Sequence, residues 1–170
     1  FLRAHFIFEL TKFFGDVPLF LEERDGVNRI ANKRILFGDQ YLINRVGSID
    51  QIYTLLEEDL KEAISNLPES RPSSEIYKIR KGAAQALLGK VYLYHRKYQE
   101  AANQFNEVIN SGNYELLTGS DYNNLFTRAG ENSRESVFEV QYTGVVGNNW
   151  DCLHCNTGNY MPQSNGPRSP

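Results

Sequence analysis

From Ile49 to Leu67 the apolar residues recur at helical spacing, and this is the clearest periodic stretch of the chain. Ile49, Ile52, Tyr53, Leu56, Leu60, Ala63, Ile64 and Leu67 make one face, and Glu57, Glu58, Asp59, Lys61 and Glu62 take the other. Such a stripe predicts an amphipathic helix with its acids in water. Ser48 and Gln51 supply a capping box at its start, and Pro68 follows its end. An earlier helix is predicted over residues 1–14. Leu2, Phe6, Leu10 and Phe13 form one stripe, widened by Ile7 and Phe14; a helix apolar on most sides is expected to be buried between neighbours, and Gly15 and Pro18 stop it.

Two more helices follow. Residues 77–95 carry Ala84, Leu87, Leu88, Val91 and Tyr92, and Gly82, Ala83, Ala86 and Gly89 keep that helix thin enough for close contact. Residues 98–110 carry Ala101, Ala102, Phe105, Val108 and Ile109, and Gly112 sits where a left-handed C-terminal residue is wanted. A short helix is predicted near Asp121, including Leu125 and Phe126. Over 136–142 the pattern changes to alternation, with Phe138, Val140 and Tyr142 on one face, which predicts a strand. Residues 15–47 read as irregular, with an extended piece over 17–21. A loop that long inside a compact domain is commonly functional or an insertion. Beyond Thr143, glycines, prolines and asparagines punctuate a loop-rich segment.

Leu88, Gly89, Tyr92, Ala101 and Phe105 have the core spacing of a tetratricopeptide helix pair. The small residues let the two helices approach, and the large ones fill the space between them. The helices at 1–14 and 48–67 are read as an atypical second pair, split by residues 15–47. The expected fold class is therefore all-α: a tetratricopeptide-like helical-repeat core with long loop insertions and a short strand segment. Residues 1–142 are expected to form that core, and 143–170 to begin a ligand-binding region.

The composition narrows the function. With 170 residues and 41% hydrophobic positions, a packed domain is expected rather than disorder. A formal net charge of −3 leaves no basic field for a phosphate backbone, so nucleic acid is not an expected partner. The run Lys78-Ile79-Arg80-Lys81 reads as a solvated turn. No stretch reaches the roughly 18–20 consecutive apolar residues that span a bilayer. The chain opens inside a helical pattern and stops within a loop pattern, so an internal piece of a longer protein is expected.

Candidate chemistry is sparse. Cys152 and Cys155 with His154 between them fall short of the four ligands of a structural zinc. They read as incidental or disulfide-bonded, and neither metal nor cofactor is expected. No zinc-protease, nucleophile-elbow or phosphate-loop motif occurs. Two of Glu22, Glu23 and Asp25 could serve as the acid pair of glycoside hydrolysis, but they share their segment with Arg24 and Arg29. The chain reads as a binding protein without a catalytic step. The suggestive surface is Asn148, Asn149 and Trp150, with Tyr160 joining it. A flat aromatic stacks on the apolar face of a sugar ring while amides hydrogen-bond its hydroxyls. The competing reading is that Trp150 plugs its loop onto the helices, since aromatics are chiefly packing residues.

Three stretches taken in order go further: Phe1-Leu2-Arg3-Ala4 leading into Phe14-Gly15-Asp16-Val17-Pro18-Leu19; the segment 81–94 with Leu88, Gly89 and Tyr92; and the segment 131–142, ending Phe138-Glu139-Val140-Gln141-Tyr142. Together they resemble the SusD/RagB family of outer-membrane nutrient-binding lipoproteins of Bacteroidetes. The resemblance implies a protein anchored by lipid on the outer face of the outer membrane. It implies that glycans, or peptides for some members, are captured and handed to a SusC-like TonB-dependent transporter. The signal and lipidated cysteine of such proteins lie outside these residues. Family ligand contacts lie in variable loops, so no binding residue transfers by motif. The alternative on the same scaffold is a tetratricopeptide protein–protein adapter.

Overall fold

A computed structural model describes residues 1–19, 21–24, 27–30, 44–127 and 130–141, the two short stretches between 21 and 30 by their backbone alone. The element order is α1 (Leu2–Phe14), β1 (Leu21–Arg24), β2 (Val27–Ile30), α2 (Ile49–Asn66), α3 (Lys81–Tyr94), α4 (Tyr98–Asn110) and α5 (Ser120–Asn124). The chain divides into two compact units, Phe1–Phe138 and Glu139–Pro170. In the first unit α1 packs on α2, α2 on α3 and α3 on α4. The helical class and the α3–α4 pairing are as the sequence predicts.

Local chemistry sets the ends of the elements. The Ser48 hydroxyl accepts from the Gln51 N–H at 3.4 Å at the start of α2. Gly112 follows α4 with φ +69°, a conformation in which a Cβ is strained. Asp16 closes the excursion between α1 and α2: its carboxylate accepts from the Gly47 N–H at 2.8 Å, bringing positions 16 and 47 together. The basic run leading into α3 is a turn at the surface, as expected, and its cations are also paired. Lys78 donates to Glu75 and Lys81 to Glu69, both at 2.7 Å, and Arg80 donates to the Ser136 carbonyl at 3.3 Å.

The core joins Ala4, Phe8, Ile52, Leu56, Leu60, Leu88, Val91 and Ala101. Gly89 is small because Phe105 covers it: a Cβ there would lie 2.6 Å from the Phe105 ring. The contact predicted from the 88–105 spacing is thus made at van der Waals range. Overpacking of this kind commonly costs about 1–3 kcal/mol.

Four expectations are corrected. First, α1 is not buried between neighbours: one face packs and the rest is exposed. Ala4, Phe8 and Thr11 are buried, while Phe6, Leu10 and Phe13 of the predicted stripe are 62%, 47% and 79% exposed. A helix apolar all round has no single face for periodicity to select, and the fit of Phe8 between Tyr53 and Tyr94 decides the orientation. Second, Glu57 and Asp59 are buried, at 4% and 9% exposure. α2 lies between α1 and α3, so its flanks are interfaces, and each acid is matched by a cation reaching in from a neighbour. For Asp59 the cation is Arg3, whose guanidinium forks onto both carboxylate oxygens at 2.6 and 2.7 Å. Third, no strand forms over 136–141. A strand needs partner backbone groups, and the sheet among the described residues is the hairpin β1–β2. Fourth, that antiparallel hairpin lies in the segment expected to be irregular, with Leu21 opposite Ile30 and Arg24 opposite Val27.

Candidate functional site

The sequence-predicted ligand residues Asn148, Asn149, Trp150 and Tyr160 lie outside the described residues, as do Cys152, His154, Cys155 and Asp25. Glu22 and Glu23 lie on β1, where only the backbone is described. What the structure does describe includes two interhelical charge clusters and several concavities.

The first cluster centres on Glu57, midway along α2. His95 Nδ1 lies 2.8 Å from one carboxylate oxygen, and Lys97 Nζ lies 2.7 and 2.8 Å from the two. A carboxylate only accepts, so Nδ1 carries the proton. Tyr53 stacks on the His95 ring at 5.0 Å between centroids. Burial pushes the Tyr53 phenol above its ordinary value. The turn between α3 and α4 bends through Arg96 at φ +62°. Glu57 thereby pins that turn to α2. Its acceptor sites are filled from inside the fold, which makes it a structural latch.

The second cluster is the Arg3–Asp59 fork. It borders a concavity of about 480 Å³ whose other walls include Leu2, Glu62, Asn66 and Ile79. Charged groups there are matched to one another across α1 and α2.

The second concavity is more polar and has a volume of about 330 Å³. It forms because α3 and α4 run antiparallel, so the first turns of α3 meet the last turn of α4. Lys81 and Gln85, one helical turn apart, come from α3, and Glu107, Asn110, Ser111 and Asn113 come from the end of α4 and beyond. Glu69 adds a carboxylate held by Lys81. Beside it Tyr114 packs against Gly82, where a Cβ would sit 2.5 Å from the phenol oxygen. Burial raises the Tyr114 phenol above its ordinary value. Gln85 is the primary amide that follows the small residues Gly82, Ala83 and Ala84.

This is a helical scaffold whose internal charges are matched. Residues 1–93 match the family model described as "Starch-binding associating with outer membrane", SusD-like. The chain belongs to the SusD-like family. It is 25% identical over 154 residues to "SusD-like protein P2" of Formosa agariphila, covering 86% of this chain and 27% of that protein. Among solved structures, a SusD-like protein of Bacteroides fragilis is 34% identical with a TM-score of 0.68, covering 83% of this chain and 26% of its own. A "Laminarin binding SusD-like protein" is also 34% identical, with a TM-score of 0.69, covering 88% of this chain and 31% of its own. The chain thus spans between a quarter and a third of the length of these relatives.

Proposed function

We propose that the protein to which these residues belong binds glycans at the outer face of the outer membrane and delivers them to a SusC-like TonB-dependent transporter. The observation that carries this reading is the match of residues 1–93 to a starch-binding, outer-membrane-associated family. A structural relative described as binding laminarin supports it further. The described helices supply rigid support: a core locked by Phe8, Leu56 and Leu88, and helix junctions fixed by buried ion pairs. On such a scaffold recognition belongs to the segments between and beyond the helices. Asn148, Asn149, Trp150 and Tyr160 are proposed as glycan contacts, without a catalytic step, cofactor or metal. Attachment to the membrane is proposed through an N-terminal lipid. Among the described residues no helix is long and apolar enough to cross a membrane.

Calorimetric titration of the full-length protein against a panel of polysaccharides and peptides tests the reading. Saturable binding to at least one glycan is the expected result, together with co-purification of a TonB-dependent transporter. Binding to none of the panel, with no transporter recovered, would sink it. Recovery of soluble protein partners in place of a transporter would favour the adapter reading.

A further inference from the structure

The two end helices of the first unit turn opposite kinds of surface outward. In the packing order α1–α2–α3–α4, α4 exposes a mainly polar face, with Gln99, Glu100, Asn103, Asn106 and Glu107 in water. α1 does the reverse. Its exposed residues are Leu2, Phe6, Leu10, Phe13 and Phe14, and every one of them is large and apolar. Its polar side chains are turned inward or matched. Thr11 is buried, Arg3 forks onto Asp59, and Lys12 lies 2.7 Å from Glu9. At ~100° per residue the exposed set falls within a wedge of roughly 120°, so it forms one stripe, about 18 Å long from Leu2 to Phe14.

A helix that faces water carries its polar residues outward, and a contiguous apolar patch on a folded domain marks a contact. Where helices pack in a row, the end elements need a polar outer face. α4 meets that requirement and α1 does not, so packing continues beyond α1. A stripe on a helix surface is convex, which suits the ridges of another helix rather than a small molecule. The source of that helix follows from the relatives. They are matched over only 26–31% of their own length, so the greater part of each lies outside the matched region. A helix within the same chain acts at an effective concentration of order mM, which a separate molecule rarely reaches. We propose that α1 is an internal interface, and that its Leu2–Phe6–Leu10–Phe13–Phe14 stripe seats an apolar-faced helix of the same polypeptide from outside residues 1–170. This rests on family membership and not on the glycan reading. Within the helical unit alone Phe13 meets water and its truncation changes little; the covering belongs to the full-length protein.

Hydroxyl-radical footprinting of the full-length wild-type protein, read residue by residue by mass spectrometry, is the test. Phe8 on the same helix is the buried reference, and the urea-unfolded protein is the open one. Phe6 and Phe13 should oxidise as slowly as Phe8, and equally slowly at every protein concentration. Photo-crosslinking from Phe13→p-benzoyl-phenylalanine then identifies the occupant, and the expected product is a cross-link within one chain to a peptide outside residues 1–170. Oxidation of Phe6 and Phe13 in the native protein at the unfolded rate would overturn the proposal. Protection that rises with concentration, with cross-linked dimer as the product, would overturn it in favour of a second copy. Protection that needs a separate protein, or a cross-link that stays within residues 1–170, would overturn it as well. Neither measurement reads ligand binding, so failure here leaves the glycan reading standing, and failure of that reading leaves this interface standing.

Discussion

Phe8→Ala is expected to destabilise the helical unit by about 3–5 kcal/mol, the range for removing a fully buried aromatic ring. Phe8 has no solvent exposure. Its ring meets Tyr94 edge-on at 5.2 Å and Tyr53 at 6.4 Å between centroids. The Lys12 ammonium lies 5.0 Å from the ring centre, so a cation–π contact is lost as well. Phe13→Ala, five residues further along the same helix, should change stability by less than about 0.5 kcal/mol, as exposed substitutions do. Equilibrium urea unfolding of the two variants checks the pair. The comparison is sharp because a helix buried on most sides would lose stability at both positions. Equal losses would mean that α1 buries its Leu2–Phe6–Phe13 face too.

Glu57→Ala is expected to cost about 2–3 kcal/mol. Removing one partner of a fully buried ion pair costs ~3–5 kcal/mol. The value here is lower because Lys97 is about a third exposed and regains water when freed. His95, at 15% exposure, regains less and loses the acceptor for its Nδ1 proton. Glu57→Gln keeps one acceptor oxygen and should cost roughly half as much. The loss should change little between low and high salt, because a buried carboxylate is poorly screened. Thermal unfolding of the two variants, each with and without added salt, is the measurement. A loss under about 0.5 kcal/mol that vanishes in salt would show an ordinary surface pair instead.

The sequence reveals most where local rules decide. α2, α3 and α4 are legible because their periodicity, the cap at Ser48 and the left-handed Gly112 are set within a few residues. The Gly89–Phe105 contact is legible because small and large residues alternate at fixed offsets. The face of α1 is not legible, since Phe6, Phe8, Phe13 and Phe14 place aromatics on every side and tertiary fit selects among them. The burial of Glu57 and Asp59 is hidden for a related reason. Their hydrogen-bonded cations, Lys97 and Arg3, are distant in sequence, and Lys61, four residues from Glu57, approaches it only to 4.0 Å. The hairpin is obscured by Glu22, Glu23 and Arg29, which mask strand alternation. The Asp25-Gly26 dipeptide between two short runs is the signal that could have found it.

The candidate sites divide the same way. Gln85 is visible in sequence as one polar residue after a run of small ones, but the concavity depends on how the end of α4 meets the start of α3. The proposed contacts Asn148, Asn149, Trp150 and Tyr160 follow no periodicity, so no local rule marks them in the sequence. Family membership shows the kind of scaffold, and the loops are free to vary on it.

The central claim is that this scaffold serves glycan capture through an aromatic surface in residues 143–170. Trp150→Ala in the full-length protein, titrated calorimetrically with the polysaccharide that the wild type binds, tests it most directly. A loss of roughly 1–3 kcal/mol of binding free energy, by analogy with the stacking of bases on aromatic side chains, with an unchanged melting temperature is the predicted result. Unchanged affinity with a large fall in melting temperature would contradict it and assign Trp150 to packing.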